Sequence, residues 1–118
     1  MATTESDDSR TQLLVDRARA IEQRDALARE LEDIIASTEL VATDDEHDPE
    51  GHTIAFERQQ IAGLLREAQV HVVDVDDALA RLQGGTYGTC EACGRPVPGE
   101  RLAILPATRT CVTCASSS

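Results

Sequence analysis

Between Ile61 and Leu82 the apolar residues Ile61, Leu65, Ala68, Val72, Val75, Leu79 and Leu82 recur at alternating steps of four and three. That is the a/d seam of a heptad repeat, the spacing by which a helix keeps one apolar face on a partner helix. It predicts a helix from about Thr53 to Gln83, stopped by Gly84 and Gly85. The β-branched run VHVVDV at 70–75 would also suit a strand. The heptad passes through that run unbroken, so helix is the reading adopted.

An earlier stripe predicts a first helix over about 9–41. It consists of Leu14, Ala18, Ile21, Ala28, Leu31 and Ile35, widened by Leu27 and Ile34 and interrupted at Asp25. Ser9 and Gln12 have the spacing of a capping box, and Asp7 and Asp8 sit where the positive helix end favours carboxylates. Neither Gly nor Pro occurs before Pro49, so a helix of roughly 50 Å at ~1.5 Å per residue meets no breaker. Two such helices, each apolar along one seam and joined by a short link, are expected to fold back as an antiparallel coiled-coil hairpin. The alternative is pairing with a second chain.

The link, ATDDEHDPEGH at 42–52, carries Asp44, Asp45, Glu46, Asp48 and Glu50. The plain reading is a solvated loop whose acids cap helices. The sharper one is an acidic tip suited to a basic channel or a divalent cation. His47 and His52 flank it without any zinc spacing and, like His71, read as surface residues.

Composition says what must hold such a rod. Among 118 residues there is one Phe, one Tyr and no Trp, so the largest contributors of buried area are missing. Net charge is −11, and every basic residue is Arg. Residues 1–85 carry 8 Arg against 20 acids, while residues 86–118 carry three Arg against two. A chain this acidic is repelled by phosphate backbones, so direct DNA binding is not expected, whereas a basic protein surface suits it. No apolar run reaches the ~18 residues of a membrane span, and MATTESDDSR lacks the layout of a signal peptide. The expected location is the cytoplasm, away from membranes, where paired cysteines hold metal more often than they form disulfides.

All four cysteines lie in TYGTCEACGRPVPGERLAILPATRTCVTC, residues 86–114. Cys90 and Cys93 form one Cys-x-x-Cys pair and Cys111 and Cys114 the other, with seventeen residues between them. This is the spacing of a structural zinc site. Gly94 follows the first pair, where a tight knuckle needs a permissive backbone. Four thiolates fill a tetrahedron and leave no position for water or substrate, so one structural Zn²⁺ per chain is expected and no enzymatic role. Iron–sulfur spacings differ, and the βαβ setting of a thioredoxin-like motif is absent. Metal binding in such a module contributes about 10–16 kcal/mol in apparent terms, which compensates for the missing aromatics.

The string Tyr87-Gly88-x-Cys90-x-x-Cys93-Gly94, followed by Val97-Pro98-x-Glu100-Arg101-Leu102, Pro106, Cys111 and Cys114, resembles the C4 zinc finger of the DksA/TraR family. The close match covers about 28 residues, and the preceding hairpin is similar to the family's architecture. The expected organisation is mainly α, with a disordered N-terminus at 1–8, a helical hairpin at 9–85 whose tip is at 42–52, a C4 finger at 86–115 and a tail at 116–118. The resemblance implies a bacterial regulator of transcription that binds RNA polymerase, entering the secondary channel with its acidic tip. The family's tip pairs Asp residues three apart. Asp45 and Asp48 have that separation, and a gap-free count back from the finger lands nearer Glu50, so Asp44, Asp45, Asp48 and Glu50 all stand as tip candidates. The alternatives are a zinc-finger adaptor for some other protein and a transcript-cleavage factor of the Gre type. Nothing in the chain names a small-molecule effector.

Overall fold

In the computed structural model the backbone is described for residues 2–41 and 49–116, and side chains for 7–39 and 53–116. Four helices follow one another: α1, Ala2–Val41; α2, Pro49–Gly84; α3, Gly99–Ile104; and α4, Val112–Ser116. Among the described residues there is no β-strand, and one isolated bridge joins Thr89 to Pro96. α1 and α2 form the antiparallel hairpin within one chain, with the finger after it.

The helices start and stop where the backbone chemistry permits. α1 begins at Ala2, ahead of the start near Ser9 that the capping spacing suggests. No Gly or Pro blocks that extension, and Glu5, Asp7 and Asp8 suit a helix N-terminus. Ser9 consequently lies inside the helix and caps nothing. α2 opens on Pro49, whose fixed φ and missing N–H are tolerated at a helix start. It closes with a Schellman motif: Gly85 has φ +85°, its N–H reaches the Leu82 carbonyl at 3.4 Å, and the Thr86 N–H reaches that of Arg81 at 2.9 Å.

The chain divides into two compact units. One joins Met1–Arg19 to His71–Ser118, and the other is Ala20–Val70. In the first, Leu13, Val75, Ala78 and Ala107 make a buried cluster, with Leu79, Leu82 and Tyr87 packed against it. Both helices and the finger therefore share one small core. Arg17 of α1 pairs with Asp76 of α2 at 2.6 Å, and His71, half exposed, hydrogen-bonds Asp16 at 3.0 Å. In the second unit Ala20, Leu27 and Ala68 are buried, with Leu31, Ile34, Ile61 and Leu65 partly so.

The α2 seam is the one the heptad predicts, with Ala68, Val72 and Val75 buried along it. The α1 seam is so only in part. Leu27, which widened the expected stripe, is buried, but Leu13 and Ala20 are buried one residue before the expected Leu14 and Ile21, and Leu14 is 50% exposed. The reason lies in the alternate seam positions, where Arg17, Arg24 and Thr38 are only partly buried. Polar residues there break the apolar pattern that would have marked the register.

Candidate metal centre

The four cysteines come together at the ends of two knuckles. In the first, Cys90 N–H donates to the Arg95 carbonyl at 2.8 Å and Gly94 N–H to that of Cys90 at 2.9 Å. Gly94 closes this turn with φ +76°, a region that costs a side-chain-bearing residue energy. Val97 N–H then donates to the carbonyl of Gly88, itself at φ +85°, at 2.7 Å. The second knuckle leads into α4, where Ala115 N–H donates to the Cys111 carbonyl at 3.0 Å. One backbone bond joins the knuckles, from Glu91 N–H to the Arg109 carbonyl at 2.9 Å.

All four Sγ atoms lie within 4.8 Å of one another, and those of Cys93 and Cys111 are 3.9 Å apart. Ligands ~2.3 Å from a tetrahedral zinc stand ~3.8 Å from each other, so the cluster has the size of a ZnS₄ site. No disulfide is formed among these cysteines. The charge balance points the same way. Hydrogen bonds from the backbone of Cys111, then of Cys93, hold the Cys90 thiol down to about 6. Cys111 is also lowered, chiefly by the Cys114 backbone. Cys114 is pushed up to about 12 by hydrogen bonding to the sulfurs of Cys111, Cys90 and Cys93. Some thiols are thus prepared as thiolates, and a divalent cation can take the place of the proton that Cys114 shares with the neighbouring sulfurs. The site suits one structural zinc.

Around the cluster the finger is braced within itself and against the hairpin by side chains that the cysteine spacing does not reveal. Arg109 Nη2 reaches Asp74 at 2.8 Å and Asp77 at 2.6 Å, and its Nε reaches Asp74 at 3.2 Å. Those bonds, to Asp77 first, raise its affinity for its proton above the ordinary guanidinium range. Tyr87 Oη donates to the Pro106 carbonyl at 2.9 Å, and burial pushes its phenol up against the opposing charge of Arg81. Arg101 Nε donates to the Thr110 carbonyl at 3.0 Å, and Gln12 Nε2 of α1 to that of Ala103 at 2.8 Å. The available signal for Arg109 was the acid pair Asp74 and Asp77 on one helix face, awaiting a cation.

Residues 85–118 match the model of the prokaryotic dksA/traR C4-type zinc finger. These residues form a C4 zinc finger of the DksA/TraR type. Transcription factor DksA2 from Pseudomonas aeruginosa shares the fold at a TM-score of 0.52 and 23% identity, over 91% of this chain and 82% of that one. Similar curated proteins include one of Aquifex aeolicus described as uncharacterized, 48% identical over 36% of this chain and 29% of its own length. Two from Bacillus subtilis carry the same description: YteA, 35% identical over 56% of this chain and 28% of its own, and YlyA, 39% identical over 48% and 45%. The chain thus spans less than half the length of these relatives. Tyr87 and Arg101, which make two of the ties found here, both lie within the matched residues.

Asp44, Asp45 and Asp48 lie outside the described residues, as does the side chain of Glu50, whose backbone is in the first turn of α2. Among the described residues, no helix is long and apolar enough to cross a membrane.

Proposed function

We propose that this protein regulates transcription by binding RNA polymerase through its secondary channel, with Cys90, Cys93, Cys111 and Cys114 holding a structural zinc at the hairpin base. The observation that carries this reading is the family's finger following a helical hairpin whose link holds five carboxylates in seven residues. An acidic rod is steered into a basic pore by long-range attraction, and carboxylates at its tip can perturb a catalytic Mg²⁺ or its surroundings. The reading assigns that role to Asp44, Asp45, Asp48 and Glu50.

Purified polymerase incubated with the wild type and with an Asp44/Asp45/Asp48/Glu50→Ala variant tests it. Both proteins are expected to bind, and only the wild type to alter transcription. A wild type that does not bind polymerase sinks the reading.

A second reading, an adaptor for another protein, draws on the finger's surface. Ile104 is 78% exposed, and Leu105 and Val15 are about half exposed, along a groove of about 600 Å³. Failure to bind polymerase would leave that reading standing.

A further inference from the structure

Arg109 touches both knuckles and the hairpin at once. It stands two residues before Cys111, and its carbonyl accepts the N–H of Glu91, which lies between Cys90 and Cys93. Its guanidinium leaves the finger and forks onto Asp74 and Asp77, three residues apart on α2, with Nη1 also 3.8 Å from the Glu91 carboxylate. A planar fork of fixed donors holds such an acid pair in one orientation, which an ammonium does not. The acids it binds flank Val75, fully buried in the cluster with Leu13, Ala78 and Ala107. Asp76, between them in sequence, is taken by Arg17 of α1.

We propose that Arg109 is a positioning residue that couples metal occupancy of the four-cysteine cluster to the order of the last turns of α2. Metal draws the two knuckles together and so fixes the Glu91–Arg109 backbone bond. That bond sets where the guanidinium starts, and the side chain then neutralises Asp74 and Asp77. With the knuckles apart the fork loses its anchor, and two like charges at i,i+3 are left facing each other on the helix, a destabilising arrangement. The inference concerns the free protein and is independent of any polymerase contact.

Hydrogen exchange over residues 71–84, measured on the full chain with zinc and after chelation under reducing conditions, tests the coupling. In the wild type chelation is expected to speed exchange there roughly fivefold, the order a half-exposed, multi-point ion pair supplies. Arg109→Gln is expected to retain one zinc, yet to exchange fast already with zinc bound, so that chelation adds little. Arg109→Lys should recover part of the difference. Asp74→Asn with Asp77→Asn approaches the same link from the helix, outside the finger. It too should keep its zinc and show a smaller chelation-dependent change. Equal chelation effects in wild type and either variant would overturn the proposal, because the shared core around Ala107 would then carry the coupling. Loss of zinc from Arg109→Gln would overturn it as well, by making Arg109 part of the metal module's own folding.

Discussion

At the scale of single residues, the finger depends on four sulfurs and on the glycine that turns the first knuckle toward them. Cysteine spacing alone names the metal and its ligands, because four sulfurs at those intervals have few other uses. Gly94 was readable for a similar reason, as a knuckle needs backbone that only glycine adopts cheaply. Its φ is +76°, and an added Cβ would meet nothing within 4 Å. Any penalty for Gly94→Ala is therefore conformational, about 1–2 kcal/mol for a left-handed residue. Because folding and metal binding are linked in such modules, that cost should appear as a zinc Kd raised roughly tenfold, measured by competition with a chelating dye. Gly99→Ala is the control, since Gly99 has ordinary φ and equally open space. Equal affinities for the two variants would contradict the role assigned to the Gly94 turn. Arg109, by contrast, is one of three finger arginines with nothing local to distinguish it. Its partners lie 32 and 35 residues upstream.

At the scale of elements, the two long helices differ in how plainly they state their register. α2 repeats apolar residues at every a and d position, and its buried face follows directly. In α1 the sequence Leu13-Leu14-Val15 offers three adjacent apolar choices, and polar residues at alternate seam positions remove the periodicity that would choose among them. Packing makes the choice: Leu13 is fully buried and Leu14 is half exposed. The short helices α3 and α4 escaped the sequence reading altogether, being six and five residues long, too short for any apolar period to accumulate. The register can be checked by a pair of substitutions. Leu13→Ala should cost about 2–4 kcal/mol of unfolding free energy, as deletions in a closed core do. Leu14→Ala should cost well under about 1 kcal/mol, in the range of surface changes. Denaturant midpoints at constant slope decide it, and a larger loss at Leu14 would restore the seam expected from the sequence.

For the whole molecule, composition foretold that something other than a large core must hold the base. The buried hydrophobic residues described in the first unit are Leu13, Val72, Val75, Ala78, Cys90, Val97 and Ala107, two of the seven being alanines. Burial of so few side chains stabilises by about 10 kcal/mol before the cost of chain ordering is subtracted, so the ~10–16 kcal/mol apparent free energy of a four-thiolate zinc site weighs most at the base. Removing the metal should therefore open the finger before the long helices. The chain has no Lys, so trypsin reports this cleanly, cutting only after Arg. Arg95 precedes Pro96 and resists cleavage, which leaves Arg101 and Arg109 as the finger's sites. Both are engaged when the finger is folded, Arg101 with Thr110 and Thr108, Arg109 with Asp74 and Asp77. With zinc present these sites should resist brief digestion. After chelation under reducing conditions they should be the first to be cut, ahead of Arg24 and Arg29 within α1 or Arg58 and Arg66 within α2, because helical backbone must unfold locally before a protease can take it. Refilling with zinc should restore protection. A digestion pattern unchanged by chelation, or a reduced protein that carries no zinc as purified, would mean that the core and ion pairs hold the base unaided.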